Sequence, residues 1–252
     1  KVTISGLTIT NGYSEGVGGA IYNQGTLSIF NSTISNNHAE RGGIYCSDKS
    51  NLNIHDSKFE GNTADSGAAI ENDNSNGVVN IINSSFIHNE CEEGGAMYNI
   101  WGQMNVFNST FMYNCAKRGG AIYNNRGVLK VYNSRVISNE GTDLGAGIKS
   151  WGICEVYDSI IVNNTNPIRQ GGGFYVSEYT LLLKNCQVLN NSAINGGGVY
   201  VEAKAKLTLQ NTSIINNSAS RGGGIDVNDG SIILKDSVIS NNSADTVGGG
   251  IY

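Results

Sequence analysis

Residues 18–37 read GGAIYNQGTLSIFNSTISNN, and residues 119–139 read GGAIYNNRGVLKVYNSRVISN. Both stretches place paired glycines, a tyrosine, alternating apolar residues and asparagines in the same order. When the chain is aligned on the tyrosine of GGAIY, the pattern recurs every 23 to 27 residues. The aligned positions are Tyr22, Tyr45, Glu71, Tyr98, Tyr123, Lys149, Tyr175, Tyr200, Asp226 and Tyr252. A period of this size indicates a linear stack of equivalent units rather than one globular core.

Each unit contains three short segments in which apolar residues alternate with other residues. In the first unit these are residues 20–23, residues 27–29 and a segment centred on Ile34. A period of two predicts strands, and apolar stripes of helical length are absent. We therefore predict an all-β fold, a single-stranded parallel β-helix (solenoid) of about ten rungs of 25–27 residues with three short strands each. Residues 1–252 form one repeat domain, which we expect to belong to a longer chain.

Four columns of the alignment predict what lies inside and at the corners. The columns of Ile21 and Ile34 are apolar in every unit and should fill the interior. A third column is asparagine in nine units, which predicts a hydrogen-bonded ladder along the axis and a left-handed corner. The ladder residues are Asn37, Asn62, Asn89, Asn114, Asn139, Asn164, Asn191, Asn217 and Asn242. An Asn or Asp column that begins at Asn31 predicts a second corner.

Several tetrapeptides resemble the repeats of a known family. GGAI at residues 18–21 and 119–122, GGAM at 94–97, and FEGN, FIHN and FMYN at 59–62, 86–89 and 111–114 are similar to the GGAI and FxxN repeats of chlamydial polymorphic membrane proteins. Those proteins are surface-displayed right-handed parallel β-helices that act in adhesion to host cells. The resemblance implies a right-handed coil, an extracellular or cell-surface location and a role in adhesion. Most units depart from the family pattern by carrying Ile or Val in place of the phenylalanine.

Composition and charge exclude two classes of partner. The net charge is −5 and only 15% of the residues are charged, so the basic stripe that binds nucleic acid is missing. No apolar run is long enough to cross a bilayer, so we expect no membrane insertion by this segment.

We predict no cofactor and no metal site, because the three histidines fall in different columns. Asp65 and the acidic residues 90–93 could hold Ca²⁺, although a solvated acidic loop offset by Lys117 and Arg118 is favoured.

No group of residues has the pattern of a catalytic site. Polysaccharide lyases and hydrolases need carboxylates with Lys, Arg or His that converge on one outer face. Glu71, Lys149 and Asp226 share a column but lie several rungs apart. We therefore predict no catalytic residues. A groove with three or more acidic and basic side chains within reach of one another would instead favour an enzyme.

Two outward-facing features predict partner binding. The tyrosine next to the inward Ile should stack along one outer face, where the rings either bind a sugar or protein or only stabilise one another. The position after the Ile34 column is apolar through six consecutive units, and aromatic residues precede the second corner nearby. These columns form an apolar patch if they face outward, but not if a bent corner turns them inward. The candidate partner-binding residues are Ile87, Met112, Ile137, Val162, Leu189, Phe107, Tyr132, Tyr157, Tyr98, Tyr123, Tyr175 and Tyr200.

These observations favour a non-enzymatic module outside the cell, a rigid scaffold with a surface for adhesion or self-assembly. The expected partner is a protein or a glycan, and uncovered rung edges would allow copies to associate end to end. The alternative is a polysaccharide lyase or glycoside hydrolase of the parallel β-helix type. Cys91 and Cys115 fall in nearly matching positions of adjacent units, which leaves a disulfide open.

Overall fold

The computed structural model describes residues 1–252 as a right-handed parallel β-solenoid of about ten turns with three sheets and no helix. Every rung-to-rung strand pair is parallel, and successive turns pass through the sheets in the same order, with strands of the third sheet beginning at Glu90. The predicted all-β fold and its handedness are therefore confirmed. No helix is present that would be long and apolar enough to span a membrane.

Sheet A contains the first two predicted segments of each unit. A short break separates the two segments in most rungs, whereas residues 122–132 and 148–157 run through the sheet without interruption. Its strands are Val2–Ser5, Ile21–Asn23, Thr26–Phe30, Ile44–Cys46, Asn51–His55, Ile70–Asp73, Val78–Ile82, Met97–Ile100, Gln103–Phe107, Ile122–Tyr132, Ile148–Tyr157, Phe174–Val176, Thr180–Lys184, Val199–Val201, Lys206–Gln210, Ile225–Val227 and Ser231–Lys235.

Sheet B contains the third predicted segment of each unit. Its strands are Thr8–Thr10, Thr33–Ser35, Lys58–Glu60, Ser85–Ile87, Thr110–Met112, Arg135–Ile137, Ile160–Val162, Gln187–Leu189, Ser213–Ile215 and Val238–Ser240. Sheet C follows the asparagine ladder, where the sequence predicted loops. Its strands are Glu90–Glu93, Cys115–Arg118, Glu140–Leu144, Thr165–Gln170, Ser192–Asn195, Ser218–Arg221 and Ser243–Val247.

The core is a set of in-register columns of side chains that run along the axis. Phe59 pairs with Phe86 and Phe86 with Phe111, and the ring centroids of these pairs are 4.7 and 4.8 Å apart. These separations match the spacing of neighbouring strands, which shows that equivalent residues lie directly above one another. Ile44, Ile122 and their equivalents fill the sheet A side of the same core and are fully buried except at the two ends of the solenoid, at Ile21 and Ile251. The two columns predicted to face inward do so.

The predicted asparagine ladder is present and continuous. Nδ2 of each ladder residue donates to Oδ1 of the next, over 2.9–3.0 Å at all eight steps from Asn37 to Asn242. In Asn114, Oδ1 also accepts the backbone N–H of Asn89, and Nδ2 also donates to the carbonyl of Phe86. The buried amides are thus fully bonded, which removes the cost of placing them in the core.

The corners use residues in the left-handed conformation. At the second corner the predicted Asn and Asp column is confirmed, with φ of 45° at Asn31 and 51° at Asp56. At the first corner the left-handed conformation lies one residue before the ladder asparagine, at Asn36 and Tyr113 for example, rather than on the ladder residue as predicted. The ladder side chain points inward only because its neighbour makes the turn.

Candidate functional site

The outer face of sheet B carries a continuous apolar strip, which we define as Ile87, Met112, Ile137, Val162, Leu189 and Ile215. These six residues pair in register from rung to rung. All six are half-buried, while the residues that precede them in the strands, such as Phe86 and Phe111, are fully buried. The strip therefore faces outward, and the alternative of a corner that turns it inward is wrong. At the spacing of neighbouring strands, the strip is about 24 Å long.

An aromatic row, Phe107, Tyr132 and Tyr157, runs beside the second corner on the outer face of sheet A. Its ring centroids are 5.0 and 4.9 Å apart, and its ring planes lie within 6° of parallel. The three residues are half-buried, so their outer edges reach the solvent. The corner residues Asn108 and Asn133 separate this row from sheet B. On sheet B, the outward column of Thr110 and Arg135 lies between this corner and the apolar strip.

The tyrosine row is buried, which contradicts the prediction that it binds a partner. Tyr98, Tyr123, Tyr175 and Tyr200 are only 4–7% exposed. Two of the expected stacks are present, with ring centroids 4.9 Å apart for Tyr98 and Tyr123 and 5.4 Å apart for Tyr175 and Tyr200. The Tyr98 hydroxyl accepts a hydrogen bond from Nδ2 of Asn125, and the Tyr175 hydroxyl donates to the carboxylate of Glu202. The rings thus stabilise one another and offer no open face to a ligand.

Three rungs replace this tyrosine with an ionisable residue, and two of the three are paired. Arg41 contacts the buried carboxylate of Glu71 as well as Asp73, and Arg221 donates to Asp226 over 2.8 Å. Lys149 is 6% exposed and has no carboxylate within 4 Å, and its Nζ lies 4.0 Å from the ring centre of Tyr123. Burial lowers the pKa of Lys149 to about 8, and Arg118 shifts it in the same direction.

Charged residues of sheet C form a cluster beside Lys149. Arg118 donates to Glu93 over 2.7 Å and to Asp143 over 3.2 Å, and Arg169 approaches Asp143 at 3.4 Å. The cluster lines a shallow hollow of about 150 Å³. The acidic residues that follow the ladder are thus offset by basic residues one rung on, as the favoured interpretation predicted. No three His, Cys, Asp or Glu side chains are grouped so that they could hold a metal ion.

Cys91 and Cys115 are not bonded to each other. In the register of sheet C, Cys91 lies opposite Ala116, and Cys115 lies opposite Glu90 and Glu140. The two thiols are therefore one position out of step and leave their strands on opposite faces. The near match in the alignment concealed this offset of one residue.

A cluster that the sequence analysis did not identify lies at the turn between the two segments of sheet A. The guanidinium of Arg126 lies between two indole rings, 4.9 Å from the ring centre of Trp101 and 4.4 Å from that of Trp151. The three residues belong to successive rungs. The sequence contained evidence of this cluster, because both tryptophans of the chain fall within a few residues of an aligned tyrosine position. Alignment of the turn residues as well as the strands would have found it.

Comparison with known proteins identifies the fold and nothing finer. A family model described as a right-handed beta helix region matches residues 1–105 and 96–252, and therefore nearly every residue of the chain. Searches of curated proteins and of solved structures gave no match.

Proposed function

We propose that this chain, which belongs to the right-handed β-helix family, is a rigid and non-enzymatic rod. It binds a protein partner along the apolar strip, outside the cell or on its surface. The observation that carries the proposal is the strip itself. Six aliphatic side chains in consecutive rungs face outward, whereas soluble monomers rarely leave a long contiguous apolar surface uncovered.

The solenoid suits a scaffold because its rungs are coupled in several ways. The asparagine ladder and the parallel sheets link interior rungs to both neighbours, and the phenylalanine stack adds a contact between the rungs of Phe59, Phe86 and Phe111. Such a rod presents a partner with a flat and preorganised surface, so little conformational entropy is lost when the partner binds. The adhesion role and surface location implied by the chlamydial repeats are consistent with this use.

Binding assays with a matched pair of variants test the proposal. Fluorescently labelled protein is applied to cultured epithelial cells and to extracellular-matrix proteins, with Ile137→Lys as the test variant and Ser213→Lys as the control. Both positions lie on the outer face of sheet B, but only Ile137 belongs to the strip. We expect Ile137→Lys to reduce binding at least tenfold, because it places a charge at the centre of an apolar interface. Equal binding by both variants would contradict the proposal.

A polysaccharide lyase is the second candidate, and Lys149 is the observation that favours it. Its lowered pKa leaves a substantial neutral fraction near pH 8, as a general base requires, and Arg118, Glu93 and Asp143 lie beside it. This arrangement meets the expectation of several acidic and basic groups within reach of one another. However, Glu93 and Asp143 already form ion pairs with Arg118, so only Lys149 is available to act as a general base.

Turnover measurements separate the two candidates. Acidic and neutral polysaccharides are incubated with the protein, and new reducing ends and unsaturated products are measured. An enzyme would give a steady rate that Lys149→Met abolishes. The rod proposal predicts no turnover from the parent protein, and a rate that depends on Lys149 would overturn it.

A further inference from the structure

The cluster of Trp101, Arg126 and Trp151 has the features of a ligand site and lies apart from the apolar strip. Trp101 is 53% exposed, and Arg126 is also exposed. The guanidinium donates to no acceptor in the protein, and no carboxylate lies within 4 Å of it. The two indoles therefore hold the guanidinium plane by cation–π contacts and leave its N–H edge free.

The backbone of this turn has the left-handed conformation that recurs in the equivalent turns of other rungs, for example at Lys49 and Lys204. Trp101 has a φ of 63° and Arg126 a φ of 62°, in the left-handed region that favours glycine or asparagine. A bulky aromatic side chain at such a position costs about 1 kcal/mol or more. Other rungs bear the same cost, so it is the side chains of Trp101, Arg126 and Trp151 that distinguish this turn from its equivalents.

Two acidic residues near the cluster, Asp73 and Glu155, are already paired, whereas Glu178 in the rung after Trp151 forms no ion pair. Asp73, which forms a bridge with Trp101, accepts hydrogen bonds from Arg41 over 2.8 Å and from the Tyr45 hydroxyl over 2.9 Å. Glu155 in the rung of Trp151 is paired with Lys130 at 3.2 Å. Neither carboxylate is left to repel an anion or to occupy Arg126, so the guanidinium is free to take an oxyanion from outside.

Two polar atoms at the inner edge of the cluster have no partner in the protein. They are Oδ1 of Asn125 and the Nε1–H of Trp151, on adjacent rungs that pair with each other. One atom accepts and the other donates, which matches the capacity of a hydroxyl group to donate one hydrogen bond and accept another. Both atoms are buried, so a ligand hydroxyl would reach them only if the Trp151 indole moved.

We propose that this cluster binds an anionic sugar unit of a glycan, with the sugar ring against the exposed face of Trp101 and its carboxylate or sulfate on Arg126. Planar N–H pairs of arginine match the two oxygens of such an anion, and an indole offers a flat apolar face to a ring. A nucleic-acid ligand is disfavoured, because one free guanidinium does not replace the basic stripe that phosphate chains require. The inference does not rest on the proposed function, since the cluster lies on sheet A.

Intrinsic fluorescence provides a direct readout, because the chain contains only two tryptophans and both belong to the cluster. The probes are an oligogalacturonate hexamer, its methyl ester, a heparin hexasaccharide and a neutral cello-oligosaccharide, with calorimetry as a second measurement. We expect the carboxylated or the sulfated probe to change the emission and to bind, and the neutral probes to bind at least tenfold more weakly. Oligogalacturonate carries only carboxylates and heparin carries both carboxylates and sulfates, so binding of both probes would indicate a carboxylate and binding of the heparin hexasaccharide alone a sulfate.

Three variants test the roles of the side chains. Arg126→Asn keeps a residue that tolerates positive φ and should weaken binding about ten- to a hundredfold, as loss of a charge-assisted pair does. Arg126→Lys should recover only part of the affinity, because it keeps the charge but lacks the planar fork. Lys204→Asn, at an exposed turn residue with a φ of 65°, is the matched control and should bind normally.

Four results would overturn the inference. They are no binding of either anionic probe at millimolar concentration, equal binding of the neutral probes, an affinity within twofold of the parent for Arg126→Asn, and equally tight binding of a poly-glutamate peptide. The last result would indicate an acidic peptide rather than a glycan. None of these measurements depends on the apolar strip, so failure of this inference would leave the proposed function unaffected.

Discussion

At the scale of single residues, Lys149 is the position where the repeat departs furthest from its own pattern. Its equivalents in the neighbouring rungs are Tyr123 and Tyr175, both buried. Glu71 and Asp226 in the same column each contact an arginine, whereas Lys149 contacts only the ring of Tyr123. A buried ammonium without a carboxylate costs free energy, which the folded protein reduces by lowering the pKa of the group.

This lowered pKa predicts how stability depends on pH. The pKa of Lys149 falls from 10.5 to about 8 on folding, so the unfolded chain binds the extra proton between these values. Lys149 should therefore lower the free energy of unfolding by a constant amount below pH 8, and this penalty should disappear as the pH increases from 8 to 10.5. Lys149→Met should stabilise the protein by about 3 kcal/mol at pH 7, and this gain should shrink towards pH 10.5.

Denaturant unfolding at pH 7, 8, 9 and 10 measures this difference between the variant and the parent. Comparison with the parent cancels the titration of the buried tyrosines, which also affects stability at high pH. Lys130→Met is the control, because Lys130 is partly exposed and paired with Glu155. A stability difference for Lys149→Met that does not change with pH would contradict the assignment.

At the scale of elements, alternation in the sequence predicted sheets A and B but missed sheet C. The inward residues of sheet C are small or polar, such as Ala116, Gly141 and Asn166, so no apolar alternation marks its strands. The strands form because equivalent segments of adjacent rungs are already held in register by the ladder and the glycine turns on either side. This register depends on contacts between rungs, so the sequence of a single unit does not reveal the strands of sheet C.

The burial of the tyrosine row was missed for a related reason. A period of two separates inward from outward side chains, and it correctly placed Tyr98 and Tyr123 on the outer side of their strand. It does not show what neighbouring elements place over that side. The cluster on sheet C, with Arg118 and Glu93, lies beside the row, and both charges act on the Tyr123 hydroxyl. The apolar strip, by contrast, has no element beside it to cover it, and it faces outward, which is one of the two alternatives that the sequence left open.

At Gly95, the second glycine of its turn from sheet C to sheet A, the backbone leaves no room for a side chain, although Ala68 and Ala146 occupy the equivalent position in two other rungs. A Cβ added at Gly95 would lie 1.9 Å from the carbonyl oxygen of Gly120 in the next rung. Both groups are backbone, so the rungs would have to move apart, and we expect Gly95→Ala to cost about 3 kcal/mol or more. Thermal unfolding measures the loss. Gly16→Ala is the control, because no atom lies within 4 Å of its Cβ, and a similar loss for both variants would contradict this explanation.

At the scale of the whole molecule, the solenoid is a one-dimensional stack in which each rung contacts only its neighbours. Removal of one complete rung should therefore leave a folded protein. Deletion of residues 99–123 joins Tyr98 to Asn124, which is the residue that follows the aligned tyrosine in the next rung. Phe86 would then stack on Val136 in place of Phe111, with the ladder intact.

We expect this deletion to preserve the β-sheet circular dichroism and cooperative unfolding, with a melting temperature within a few degrees of the parent. Deletion of residues 99–110, about half a rung, shifts every inward column by half a turn and should prevent folding. The two deletions remove chain from the same place, so the comparison isolates the register. Equal behaviour of the two proteins would show that stacking of equivalent residues does not determine the fold.

The exchange of asparagine side-chain amide protons tests the central claim, registered stacking of equivalent residues, most directly. The chain contains an internal control, because Asn53, Asn80 and Asn105 form a second ladder on the outer face of sheet A. In a ¹⁵N-labelled sample transferred to D₂O, the Nδ2 protons from Asn62 to Asn191 should persist for hours, since they are buried and bonded on both sides. Those of the outer ladder should exchange within minutes. Equally fast exchange of both ladders would contradict the account.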